Sequence, residues 1–334
     1  MDKQKVIVYG CGIMGRRTAE ALAGKESFVI VGAVDIDPEL VGMDLGMLFS
    51  TPREMGIKIE SDADALFART DADAVVLTTS SHLKTVMPQI KQCIDAGLNI
   101  VSTCEELSYP WKRNPELAQE VDTWAKEAGV TVVGTGINPG YLMDSLPLTL
   151  TAPLLKVDAI RVTRMMNSAR RRIPFQKKVG TSMTPDEFNQ KIADGIITGH
   201  VGLLESINMI ADGLGWKLDQ ATELPPEAVI AESDTETGFG TITPGNVIGL
   251  KSVAHAEMAG KTVITLEFIA NAGVKEEYDE ISIEGTPSIH EKILGGVHGD
   301  TGTVAVTINT IPKAIEAVPG LKLMSEIPSP AATL

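Results

Sequence analysis

An α/β architecture is expected, a doubly wound parallel sheet followed by a second, α+β domain, and two patterns carry that expectation. Over the first ~140 residues, short Val/Ile-rich runs alternate with amphipathic stretches. The runs at 5–10, 28–35, 74–79, 99–103 and 130–134 are too short for helices and are bounded by Gly, Asp or Ser. That is the mark of strands buried on both faces of a parallel sheet. The stretches 16–22, 83–96 and 115–128 have helical spacing between them, so right-handed crossovers follow. Past Asn138-Pro139-Gly140 the pattern changes: 159–166, 251–258, 262–270 and 278–284 are strand-like with few helices between. An antiparallel or mixed sheet with helices on one face is expected there. Thr184-Pro185-Asp186-Glu187 is a capping box that opens a helix to about 193. A second helix is expected to open at His200 and run to about 214, and 303–317 reads as strand or helix. The expected domains are 1–140, completed by 305–334, and 141–304.

Composition narrows the possibilities further. The chain has 334 residues, too many for one ordinary core and enough for two. A net charge of −15 repels phosphate backbones and anionic lipid, which argues against nucleic-acid and membrane-surface partners. No apolar run approaches the roughly 20 residues of a membrane span. The first residues run straight into a strand pattern, with no room for a signal peptide. Cys11, Cys93 and Cys104 are few, odd in number and without CxxC spacing, which fits a reducing cytoplasm and neither a disulfide framework nor a metal site.

Gly10-Cys11-Gly12-Ile13-Met14-Gly15 follows the first strand and opens a helix. Bare N–H groups and the positive end of the helix dipole, contributed by Gly12, Ile13 and Met14, suit a pyrophosphate there. Gly10 permits the tight turn, Gly12 lets backbone approach the phosphates, and Gly15 lets helix and strand pack closely. Asp35 ends the second strand at the spacing of a carboxylate that binds the adenine ribose of a dinucleotide. Such a carboxylate repels a 2′-phosphate, and Asp37 adds a second charge, so NAD is favoured. Arg16 and Arg17 keep NADP open.

Longer motifs extend the picture. Asn99-Ile100-Val101-Ser102-Thr103-Cys104-Glu105-Glu106 with Tyr109-Pro110-Trp111, Gly134-Thr135-Gly136-Ile137-Asn138-Pro139-Gly140, and Gly199-His200-Val201-Gly202 through Glu205-Ser206 resemble the 2,4-diaminopentanoate dehydrogenase family. So does the C-terminal Ile327-Pro328-Ser329-Pro330-Ala331-Ala332. The family's relatives include amine dehydrogenases that aminate simple ketones. Asn167-Ser168-Ala169-Arg170-Arg171-Arg172-Ile173-Pro174 looks more like that broader group. The resemblance implies a Rossmann-type domain joined to a substrate-binding and dimerising domain like that of dihydrodipicolinate reductase, and a homodimer. It also implies interconversion of an amine with a ketone and ammonia using NAD or NADP.

Glu105 and Glu106 follow the strand at 99–103, at the carboxyl edge where open α/β sheets bind ligands. Read from the residues alone, they serve equally well as two solvated acids at a helix start. The resemblance makes Glu105 the acid–base residue, with Glu106 either simply its neighbour or a structural support. Asn138 offers an amide to the nicotinamide carboxamide or ribose. Thr79 and Ser80, at the end of the strand at 74–79, face the nicotinamide ribose or cap the next helix. Tyr141, Met166 and Thr303 are pocket candidates, and the resemblance adds His200, which from the residues alone reads as a helix cap or a satisfied buried group. The Gly-rich 295–303 lines a pocket or is a mobile turn. The run Arg170–Arg172 binds a carboxylate or, slightly favoured, is a solvated face. Two alternatives stand beside this reading. A dihydrodipicolinate reductase-type imine reductase would carry adjacent histidines, which the chain lacks. A non-enzymatic dinucleotide-binding redox sensor would keep the glycine loop without the pocket.

Overall fold

The computed structural model describes residues 3–171 and 173–333. They divide into two compact units, Met1–Tyr141 with Gly299–Leu334, and Leu142–His298. The first opens with β1 (Gln4–Tyr9), α1 (Ile13–Ala23), β2 (Phe28–Val34), β3 (Ile59–Glu60), α2 (Ala63–Arg69) and β4 (Ala74–Leu77). It continues with α3 (Leu83–Asp95), β5 (Asn99–Ser102), α4 (Pro110–Arg113), α5 (Pro115–Ala128) and β6 (Thr131–Gly134). The second unit holds α6 (Ser145–Leu150), β7 (Lys156–Met166), α7 (Ile173–Lys178), α8 (Pro185–Ala193) and α9 (Leu203–Gly213). Its remaining strands are β8 (Gln220–Glu223), β9 (Glu227–Ile230), β10 (Thr235–Thr237), β11 (Gly240–Ile242), β12 (Val247–Met258), β13 (Lys261–Asn271), β14 (Tyr278–Thr286) and β15 (Ile289–Leu294). The chain then returns to the first unit as α10 (Gly299–Glu316) and β16 (Gly320–Lys322).

Every strand pair in the first unit is parallel, in the order β16-β6-β5-β4-β1-β2-β3. The strands are short and apolar, and Val6, Ile7, Val8, Val75, Val101 and Val132 are sealed from solvent. Helices cover both faces: α3 and α5 close a core with Leu83, Val86, Ile90, Val121 and Ala125 on one side, and α1 and α10 pack together on the other. Strand order reverses between β1 and β4, which opens a crevice at the carboxyl ends of the strands. Among the described residues no helix is long and apolar enough to cross a membrane.

In the second unit the main sheet is mixed, with β13 parallel to β7 and the other pairs antiparallel. Strict alternation sorts its residues. Ile264, Leu266, Phe268 and Ala270 of β13 are buried while Thr265, Glu267 and Ile269 are half-exposed. Leu203, Ile207 and Ile210 of α9 pack onto the buried face with Ile160, Val162, Ala254, Ala256, Leu266 and Ile281. The capping box at Thr184 is present, with both reciprocal bonds to Glu187.

Two expectations are corrected and one open alternative is settled. The helix expected from His200 starts at Leu203, because Gly199 (φ 75°) and Gly202 (φ 107°) hold left-handed backbone that a helix cannot continue through. His200 therefore lies in the loop ahead of α9. The stretch open to strand or helix from 303 is helix α10, and the helix begins at Gly299. The returning segment thus starts earlier than the expected 305, and Thr303 belongs to the first unit.

The tightest point of the first unit lies between β1 and α1. A Cβ at Gly15 would sit 1.7 Å from the Gly10 carbonyl oxygen and 2.8 Å from Thr78 Oγ1. Gly15→Ala is expected to push α1 off the strand and cost about 1–3 kcal/mol, read as a lower urea midpoint.

Candidate functional site

The turn from β1 into α1 is built on glycine. Gly10 has φ +96°, and a Cβ there would meet Thr79 Cγ2 at 2.9 Å. Gly12 is the N-cap of α1 and makes no side-chain cap bond. A Cβ on Gly12 would meet nothing within 4 Å, so open space lies over the first turn. Gly12 and Ile13 are exposed, Met14 is half-buried, and the turn carries no acidic residue. Its N–H groups and the dipole's positive end are free for an anion. Cys11 is not a nucleophile here: burial pushes its thiol up to about 12, with the Asp35 charge adding to the effect.

Asp35 follows β2. Its Oδ2 accepts from Cys11 N at 2.5 Å and its Oδ1 from Asp37 N at 2.9 Å. Each oxygen keeps a lone pair for a hydroxyl donor. Arg17 is engaged with Asp300 at 2.9 Å, while Arg16 is exposed.

At the end of β4, Thr78 Oγ1 donates to Gly10 O at 2.8 Å, Thr79 Oγ1 bonds Gln89 Oε1 at 2.5 Å, and Ser80 Oγ accepts from His82 N at 3.2 Å. None of these hydroxyls caps α3. That role falls to Glu106, on a 3₁₀ turn after β5 that spans Glu105–Leu107. Glu106 Oε2 accepts from Leu83 N at 2.8 Å, and Oε1 lies 3.1 Å from His82 Nδ1 and 3.5 Å from Arg113 Nη1. Burial pushes the Glu106 carboxyl up, but the bonds from His82 and Leu83 and the Arg113 charge outweigh it and hold it below the usual carboxylate range. Its neighbour Glu105 is half-buried, and its carboxylate engages no described residue. Of the two acids, one is tied down and the other is available.

Asn138 lies beyond β6. It is 9% exposed, yet neither its Nδ2 nor its Oδ1 has a partner. A buried amide with both ends unmet carries a desolvation penalty. A ligand amide, donor and acceptor together, would meet both. Close by, Thr303 Oγ1 accepts from Ile137 N at 3.3 Å. Thr303 thereby holds the loop from which Asn138 projects. Tyr141, half-buried, is the last residue of this segment.

Met166 and His200 lie in the second unit. Met166 lines a cavity of about 230 Å³ with Arg164, Arg170, Arg171, Glu277 and Asp279. Arg164 and Asp279 are almost fully buried and paired at 2.6 Å, and Arg170 reaches Glu277 at 2.7 Å. The arginine run is therefore not simply a solvated face. Arg171 is buried with its guanidinium 4.7 Å over the Phe175 ring, and Arg172 lies outside the described residues. Gly295, Gly296, Val297 and His298 also line the cavity, while residues 299–303 belong to α10. His200 does not line it: its ring stacks on Phe268 at 4.4 Å with its Nε2 sealed and unpartnered. Burial, then the Arg164 and Lys178 charges, pull His200 down to about 3. The neutral ring's contribution to stability is full above pH 6.5, its ordinary value, and is lost as pH falls toward 3, because the unfolded chain then binds the extra proton. His200→Gln is expected to show a shallower fall in Tm over that window.

A parallel sheet with a glycine turn leading into α1, joined to a second sheet domain, gives the chain the fold of an NAD(P)-binding dehydrogenase. Residues 141–334 match the 2,4-diaminopentanoate dehydrogenase C-terminal domain, and residues 4–108 match the dihydrodipicolinate reductase N-terminus. The chain belongs to the 2,4-diaminopentanoate dehydrogenase family, and its activity is of the amine dehydrogenase class. A 2,4-diaminopentanoate dehydrogenase from Acetoanaerobium sticklandii is 35% identical over all of this chain and 96% of its own. An amine dehydrogenase from Streptomyces virginiae is 23% identical, covering 96% and 95% of the two chains. The solved amine dehydrogenase from Mycobacterium smegmatis superposes with a TM-score of 0.82 at 26% identity, over 98% of this chain and 96% of that one.

The partners of Glu106, namely His82 Nδ1, Leu83 N and Arg113, were not legible as a group. They come from the start of α3 and the end of α4 and share no sequence motif. No signal in the sequence points to them, because Thr79 and Ser80 already offer capping hydroxyls ahead of α3.

Proposed function

We propose that the chain catalyses NAD-dependent oxidative deamination of 2,4-diaminopentanoate or a close amino acid, and the reverse reductive amination, with Glu105 as the acid–base residue. The observation that carries this reading is the contrast within one turn: Glu106 is consumed by three partners while Glu105 keeps its carboxylate free. When bound, the nicotinamide supplies the acceptor for the hydride that leaves the amine-bearing carbon. Glu105 takes a proton from the substrate ammonium, which frees the nitrogen lone pair to form the iminium as the hydride departs. Glu105 releases that proton to solvent, and the regenerated carboxylate takes a proton from water as the water adds to the iminium carbon. It returns that proton to nitrogen, accepts the hydroxyl proton, and ammonia leaves the ketone. Asn138 holds the carboxamide, so that one face of the ring is presented. Thr79 and Ser80 line the nicotinamide ribose.

A substrate bearing both charges is supported by the second unit's cavity, whose lining sets three guanidiniums against two carboxylates. Met166 remains the proposed pocket residue of the second unit, where the neutral His200 ring stacks on Phe268 outside the cavity, and Tyr141 and Thr303 remain those of the first unit. NAD rather than NADP is supported by Asp35 and by Arg17, which is already engaged with Asp300. The homodimer would use the half-exposed face of the second unit's sheet around Thr265, Glu267 and Ile269.

Glu105→Ala should lower kcat by about 10²–10⁴-fold while NADH still binds, as read by nucleotide fluorescence. Full activity in that variant removes the assignment. In a panel of 2,4-diaminopentanoate and simple amines, NAD+ reduction should be strongest with the diamino acid, and silence throughout would favour a redox sensor. Asp35→Ala should narrow the preference for NADH over NADPH by at least about tenfold, ~1.4 kcal/mol in binding.

A further inference from the structure

We infer that Glu106 is a positioning residue for this reaction, which aims Glu105 by locking the turn that carries both to the loop between β4 and α3. The inference rests on the assignment of Glu105 as the base. The lock has several parts. Glu106 Oε2 takes the Leu83 N–H at 2.8 Å, Glu106 N donates to Ser81 O at 3.2 Å, and Oε1 faces His82 Nδ1 at 3.1 Å and Arg113 at 3.5 Å. From behind, β6 presses on the same turn: a Cβ at Gly134 would fall 2.4 Å from the Leu107 carbonyl carbon.

Two physical points turn this lock into a positioning device. Helix α3 has His82 at its N-cap with no side-chain cap bond, so the Leu83 N–H would be an orphan without Glu106. A carboxylate at the positive end of the helix dipole is held there firmly. In addition, a 3₁₀ turn has about three residues per revolution, so adjacent side chains leave it about 120° apart. Fixing the direction of Glu106 therefore fixes that of Glu105. The loop being gripped is the one bearing Thr79 and Ser80, so the base and the residues proposed for the nicotinamide ribose move as one piece.

The test is a set of variants at the two acids, each checked for folding by circular dichroism. Glu106→Ala should lower kcat about 30-fold or more, and Glu106→Gln, which keeps an acceptor for Leu83 N–H, about 3–10-fold, with the KM for amine and the Kd for NADH within about twofold of the parent. In the Glu105→Ala background neither substitution should change the residual rate by more than about twofold, because a residue that acts through another has nothing left to act on. Should Glu106→Ala fail to fold, Glu106→Gln alone decides, by the same loss and the same silence without Glu105. Parental kcat in Glu106→Gln, an effect confined to KM or Kd, or an equal loss in the Glu105→Ala background would overturn the inference. Full activity of Glu105→Ala alone would instead sink the base assignment, a result distinguishable from all of these.

Discussion

At Gly15 helix α1 lies against the end of β1 so closely that the Gly10 carbonyl occupies the space a methyl group would need. Several features follow from that contact. It brings the first turn of α1 directly over the sheet's carboxyl edge, where its unpaired N–H groups face the crevice at the switch point. It leaves the Gly10 carbonyl to accept from Thr78, which ties the end of β4 to the glycine turn. Through that link the loop after β4 acquires a fixed position, and through Glu106 the turn after β5 acquires one as well.

The carboxyl edge thus reads as an ordered series along the sheet: Asp35 after β2, the glycine turn after β1, Thr79 and Ser80 after β4, Glu105 after β5, Asn138 beyond β6. Adjacent strands step by about 4.8 Å, so these groups span a distance suited to an extended molecule with a ribose at each end. The electrostatics vary along the series. A carboxylate favours hydroxyl donors at one end, backbone dipoles favour an anion at the glycine turn beside it, and a neutral amide favours an amide partner at the other end.

The parallel sheet was legible because its strands are continuous Val/Ile runs flanked by Gly and Asp, and the glycine roles were legible because only backbone geometry sets them. β3 and β16 escaped notice because strands of two or three residues carry no periodicity. His200 was placed on a helix because Leu203, Ile207 and Ile210 do recur at helical spacing, and the left-handed glycines that end the pattern before His200 are silent in a one-dimensional reading. Arg171 looked like part of a solvated charge run, yet the Phe175 ring and the cavity wall bury it. Such burial depends on partners brought in by tertiary structure. The division of labour between Glu105 and Glu106 likewise needed the start of α3 and Arg113 to arrive from elsewhere in the chain.

The first unit is discontinuous. Its final helix and strand are synthesised only after the whole of the second unit, and Thr303, on that returning helix, is what steadies the loop bearing Asn138. A nascent chain on the ribosome can therefore pair the strands from β1 to β6 early, but the loop bearing Asn138 gains its tie to Thr303 only after the whole of the second unit has been made. The parallel sheet of the first unit likewise gains its β16 edge only after the inserted unit has been made.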